Sequence, residues 1–236
     1  MNVKICYLCG NEIIGKSSKD HIPPKQFYFS EFRKHVEFKN LITLPTHQEC
    51  NYNCQEDENY FVTSLSPLVG DKLIYKGVEI HLKDMLKHKK GYELIKKSYR
   101  EFSDKIGNIY LPSNLVCKEY DIKKVNNVVW KIFRGLYFHK YNIYINVNTK
   151  NNVTRLLKIT ETLPKEVVEF FNSSNEKFEG ICPKIFDYKI DKAFNMAFGL
   201  LIFWNSFGFV IFAHLPGCFC DKCNNVAGVI NHAPTV

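Results

Sequence analysis

The sequence has no long apolar run behind its charged start. Met1 to Cys6 reads MNVKIC, so neither a secretory leader nor a transit peptide is visible and a cytoplasmic protein is the expectation. An uninterrupted membrane span is missing as well. The stretch from Ala193 to Leu215 is long enough, but Asn195, Asn205 and Ser206 interrupt it, and Gly199 and Gly208 weaken a helix. Asn205-Ser206-Phe207-Gly208 between two aromatic and β-branched runs is turn chemistry, so two buried strands joined by a tight turn are expected there, and no membrane partner. Internal repeats and low-complexity segments are also absent. With 236 residues, 45% of them apolar, the chain can fill a core and is neither a disordered tail nor a minimal finger. A strong charge is lacking too. The 32 basic and 24 acidic residues leave +8, spread along the chain; this draws phosphate weakly, and solvated helix faces explain most of it.

The nine cysteines are not an even number, and several cluster as close pairs, which points to metal ligation over a disulfide framework. Cys6-Tyr7-Leu8-Cys9-Gly10 is half of a zinc knuckle: two thiolates separated by two residues grip one tetrahedral ion, and the glycine allows the sharp turn. His47-Gln48-Glu49-Cys50 has the same internal spacing and supplies the other half. Cys54, one helical turn beyond Cys50, is the alternative to His47 as fourth ligand. Residues 1–50 alternate short apolar runs with Gly, Pro, Ser and Asn, so a metal is expected to hold them in place of a broad core.

Beyond Asn51 the pattern changes. Asn51 to Leu68 predicts a helix ended near Pro67 and Gly70, and Leu82 to Phe102 predicts another with Gly91 as its break. Residues 109–120 read as strand-like around Pro112. Ile122, Val125, Val128, Val129, Ile132, Phe133 and Leu136 form the cleanest helical stripe. A short helix is expected from Pro164 to Phe171, and Phe186, Tyr188 and Ile190 alternate with charged neighbours as a half-buried strand does. The fold class is α+β, with a zinc-stapled module in residues 1–68 followed by an accessory domain of helices and antiparallel sheet in residues 69–236.

Between the zinc halves lies Asp20-His21-Ile22-Pro23, then Asn40-Leu41-Ile42-Thr43-Leu44, and Asn51 directly follows Cys50. Over about residues 5–65 this ordered set resembles the HNH, or ββα-metal, endonucleases, whose motif sits between zinc ligands in a treble-clef-like module. The resemblance implies that Asp20 and Asn51 hold one divalent ion, Mg2+ or Mn2+, that His21 is the general base, and that Asn40 braces the loop and orients that base. It also implies a phosphodiester hydrolase acting on nucleic acid, with DNA the expected partner ahead of RNA. Chemistry independently asks for such groups: a hard cation takes oxygen ligands and neutralises charge growing at the departing oxygen, and imidazole titrates nearest neutrality. His47 stands where many members of the family have cysteine, and no third metal-binding histidine follows Asn51. Asp57 and Glu58 read as an additional metal contact or as helix-packing or solvated groups.

Lys25, Lys87, Lys90 and Lys97 are candidates to follow a nucleic-acid backbone, with Lys123, Lys124, Lys131 and Arg134 extending the track. Cys218, Cys220 and Cys223, with His214 or His232, make a second cysteine cluster without a spaced second pair, readable as a zinc site or as thiols near the chain end. Cys117 and Cys182 are isolated and expected to be buried.

Overall fold

The computed structural model describes residues 4–30, 32–34, 41–158, 165–174, 177–181, 185–193, 195–220 and 223. Asn40, Cys182 and His232 fall outside them, as does the start of the helix expected from Pro164.

Strands β1 (Ser17–Ile22) and β2 (Ile42–His47) pair antiparallel, with Asp20 opposite Leu44 and His21 opposite Thr43. Helix α1 (Gln48–Tyr52) follows without a break, and after a turn α2 covers Gln55–Leu65. The single helix expected from Asn51 is therefore two. His47 caps α1 with extended backbone, and Asn51 lies inside α1 as a helical residue, not at its start.

Next come α3 (Lys72–Leu86) and α4 (Lys89–Tyr99). The expected helix from Leu82 begins ten residues earlier, and its break falls at Lys87–His88, while Gly91 lies within the first turn of α4. Two-residue strands β3 (Phe102–Ser103) and β4 (Lys105–Ile106) precede the region read as strand-like around Pro112, which itself forms only β5 (Ile109–Tyr110) and β6 (Cys117–Lys118). Cys117 in β6 is half-buried, not buried as expected.

The predicted stripe is helix α5 (Ile122–Tyr141). Asp121 caps it by accepting from the Lys123 and Lys124 amides at 3.1 and 3.2 Å, and Asn142 ends it in the left-handed region at φ 54°. Strand β7 (Asn151–Lys158) and helix α6 (Lys165–Ser173) lead to β8 (Glu179–Ile181), β9 (Phe186–Ala193), β10 (Met196–Phe203) and β11 (Phe207–His214). Their sheet is antiparallel in the order β7-β11-β10-β9-β8. The hairpin expected in residues 193–215 is β10–β11, and among the described residues no helix is long and apolar enough to cross a membrane. Its turn sits one step earlier than expected. Trp204 and Asn205 carry the positive φ of 51° and 47°, and Phe207 and Gly208 already pair as strand. A tryptophan tolerates that backbone because its buried indole donates to the Phe27 carbonyl at 3.0 Å and stacks on the rings of Phe27 and Phe29.

That contact spans 177 residues of sequence and shows how the N-terminal segment is held. Tyr7, Ile22, Phe27, Tyr28, Phe29 and Leu44 are buried in the same cluster as α5 and the β9–β11 faces. Metal is thus not a replacement for a broad core, because the hydrophobic core runs continuously across residue 68. Helix α5 touches α2, β1 and β2 as well as β7, β10 and β11. Gly135 allows the closest approach: a side chain there would run into Ile22 and Tyr7.

Candidate active site and metal centre

The N-terminal knuckle folds as a tight turn. The Gly10 amide donates to the Cys6 carbonyl at 2.8 Å, and Gly10 adopts φ +81°, where Tyr144 also leaves no room for a side chain. The β2–α1 junction presents His47 and Cys50 to the same point. One donor atom from each of Cys6, Cys9, His47 and Cys50 lies within 4.8 Å of the others, with His47 Nδ1 at 3.4 Å from Cys9 Sγ and 3.8 Å from Cys50 Sγ. Ligands of one tetrahedral zinc would stand about 3.6 Å apart for N and S, so the set fits that ion. His47 Nε2 donates to the Glu12 carbonyl at 3.1 Å. A carbonyl only accepts, so this bond fixes the proton on Nε2 and leaves the Nδ1 lone pair facing the thiols, as metal-ligating histidines are commonly oriented.

Cys54 takes no part. Its thiol donates to the Cys50 carbonyl at 3.4 Å, and burial pushes its pKa up to about 11. Within the cluster burial acts first on both Cys6 and Cys50. On Cys6 it is outweighed by hydrogen bonds to the backbone at His47, Cys9 and Leu8, which leave the thiol below its ordinary value. On Cys50 burial is reinforced by the charge of Cys6 and by Cys9, and the thiol is pushed up to about 12. A bound cation would displace the protons of thiols crowded in this way and neutralise the thiolates left behind.

Beside this cluster, Asp20 and His21 on β1 and Asn51 on α1 line one open cavity of about 320 Å³, together with Lys19, Lys25 and Glu58. The Asn51 amide nitrogen donates to Ser18 Oγ at 2.9 Å, a contact that does not use its carbonyl oxygen. His21 is half-buried, and burial followed by the positive charge of Lys25 lowers its pKa below the ordinary histidine value, against the pull of Asp20. A neutral imidazole at pH 7 follows.

Behind the cavity, its two acids Asp20 and Glu58 are tied to a buried cation on α5. Asp20 is buried and its Oδ2 accepts from Tyr7 Oη at 2.5 Å and from Lys131 Nζ at 2.7 Å. Lys131 also pairs with Glu58, whose other oxygen accepts from Gln26 Nε2 at 3.2 Å. Burial alone would lower the Lys131 pKa, but the two carboxylates raise it, so the ammonium stays charged. Lys131 is therefore no part of a surface phosphate track. Arg134 is buried too, donating to the carbonyls of Tyr7 at 3.1 Å, Leu8 at 2.6 Å and Ile145 at 2.8 Å. Lys124 pairs with Glu56, and Asp57 accepts from Asn127 at 2.8 Å, tying α2 to α5.

Lys25 lies at the cavity itself. Gln55 and Asn59 are shared with an adjoining depression of about 560 Å³, which Lys90 and the exposed Tyr52 also line. Lys97 lies over the ring of Tyr60 at 5.9 Å, and Lys87 forms an exposed ion pair with Asp84 at 2.7 Å. No protein-family model, curated protein or solved structure matches this chain.

Proposed function

We propose that the protein is a metal-dependent endonuclease of the HNH type that hydrolyses phosphodiester bonds in DNA. What carries this reading is one juxtaposition: a β–β–α unit with a Cys3His cluster at its base, and Asp20, His21 and Asn51 around a single cavity. His21, neutral near pH 7, takes a proton from the attacking water as the new phosphorus–oxygen bond forms. Asp20 and Asn51 would hold Mg2+ or Mn2+, which neutralises charge growing on the phosphate and on the departing 3′-oxygen. The donor chemistry fits a hard ion. Tyr7 and Lys131 occupy Asp20 Oδ2, which leaves the second carboxylate oxygen and the Asn51 carbonyl as ligands, and Mg2+ keeps water in its other positions. Lys19 and Lys25 at the rim would steer the phosphate, and the groove past Gln55 and Asn59 towards Lys90 would carry the flanking strand.

One observation favours a second reading, a zinc-stabilised nucleic-acid-binding or adaptor protein that cleaves nothing: the Lys131 ammonium already rests on Asp20 and competes with a divalent cation for it. Incubation of the full chain with supercoiled plasmid, single-stranded DNA and RNA separates the two. Nicking of plasmid that requires added Mg2+ or Mn2+ is expected. Tight binding with no strand cut under any of these conditions would establish the second reading instead.

A further inference from the structure

We propose that His214, Cys218, Cys220 and Cys223 bind a second zinc ion, which pins the segment after β11 to the end of the five-stranded sheet. His214 is the last residue of β11, and its Nδ1 lies 3.4, 3.2 and 3.4 Å from the sulfurs of Cys218, Cys220 and Cys223. All four donor atoms fall within 4.8 Å of one another. One tetrahedral ion with three thiolates and an imidazole would set those nitrogen–sulfur separations at about 3.6 Å.

The intervening backbone is folded to deliver the ligands. Gly217 adopts φ +81°, the Cys218 amide donates to the Leu215 carbonyl at 3.1 Å, and the Cys223 amide donates to the Cys220 carbonyl at 2.8 Å. Asn195, in the β9–β10 turn, grips the same loop twice: its carbonyl accepts from the Leu215 amide at 2.9 Å, and its side chain donates to the Gly217 carbonyl at 2.9 Å.

Apolar packing does not account for this convergence. None of the described residues from 215 to 223 is buried, and Phe219 is 79% exposed. Leu215 packs against the main core, but beyond it the loop closes around four metal-binding donors with none of its described residues buried, which is what a structural metal produces. Sulfur-rich, four-coordinate and closed, the set selects zinc over Mg2+ or Ca2+ and leaves no position for substrate. The ion therefore has a structural role. The pinned loop supplies Leu215 and Pro216 to the wall of a cavity of about 680 Å³, so the ion also sets that wall. The site is separate from the N-terminal cluster in sequence and in ligands, and it does not depend on any nuclease activity.

Metal content of the full-length chain tests this. Two zinc ions per chain are expected, and the Cys220→Ser/Cys223→Ser double variant should hold one fewer than the parent, as Cys6→Ser should through the other cluster. Because loss of two ligands can unfold the double variant, His214→Cys and His214→Asn form a second pair. The first keeps four ligands and should keep the full zinc count, whereas the second should lose one ion. Replacing zinc with Co2+ gives an optical check, since thiolate-to-cobalt absorption should fall by about half in His214→Asn. A zinc count unchanged by both the double variant and His214→Asn would overturn the proposal. So would purified protein in which two of these three cysteines are disulfide-bonded.

Discussion

Replacing His21 with alanine is expected to slow phosphodiester cleavage by about 10²–10⁴-fold, the usual contribution of a positioned general base, while zinc content stays that of the parent. His21 is the only imidazole lining the cavity among the described residues, and its lowered pKa keeps it in the proton-accepting form. The histidine of the N-terminal Cys/His cluster cannot replace it, since His47 Nε2 donates to the Glu12 carbonyl and Nδ1 faces the thiols. Unchanged zinc distinguishes a lost base from a collapsed module. Cleavage of plasmid that proceeds at the parent rate in His21→Ala would remove the imidazole from the mechanism.

Lys131→Met should cost about 3–5 kcal/mol of folding stability near pH 7, measured by urea unfolding. Lys131 is 4% exposed and joins two carboxylates that are equally secluded, Asp20 and Glu58. Methionine fills the space but leaves both acids buried beside each other without a cation. The pH dependence has a definite sign. Burial already raises the Glu58 pKa above its ordinary value, against the attraction of Lys131, and removing that attraction raises it further. A carboxyl whose folded-state pKa exceeds its unfolded one binds protons more tightly when folded. The deficit relative to the parent should therefore shrink as pH falls and the buried acid is protonated. A variant as stable as the parent at neutral pH would mean that the ion pair is not what seats α5 on β1.

These two experiments bear on opposite ends of what the sequence discloses. The Cys/His cluster of residues 6, 9, 47 and 50 was legible because CxxC and HxxC are local spacings suited to one ion, and the helix from Ile122 was legible because seven apolar residues recur at its period. The choice between His47 and Cys54 was not. It depends on the Glu12 carbonyl, brought to His47 only by the turn that pairs Ile5 with Glu12. The cation that joins Asp20 and Glu58 was misread for a similar reason: a lysine on a helix is ordinarily solvated, and its residue type alone does not mark Lys131 as buried.

A signal did exist. Lys131, Arg134, Gly135 and Phe138 fall at i, i+3, i+4 and i+7, so one face of α5 carries two cations around a glycine, an unusual face for a helix whose other side is apolar. That face meets Asp20, Glu58 and the carbonyls of Tyr7 and Leu8. The core shared across residue 68 was hidden in the same way. The N-terminal residues look too broken to share a core, yet Phe27 and Phe29 pack against Trp204 from the far end of the chain. Contacts of that sequence separation leave no periodic trace. The turn at Trp204-Asn205 was placed late because a tryptophan seldom takes positive φ, and only its burial against Phe27 makes that conformation acceptable.

Mn2+ would make visible the divalent cation that we propose Asp20 and Asn51 hold beside His21. In crystals of the protein soaked in Mn2+, anomalous scattering should reveal an ion at about 2.0–2.3 Å from an oxygen of each residue, with Lys131 retained on the other Asp20 oxygen. A cavity still empty at saturating Mn2+, or an ion bound without either residue, would contradict the account.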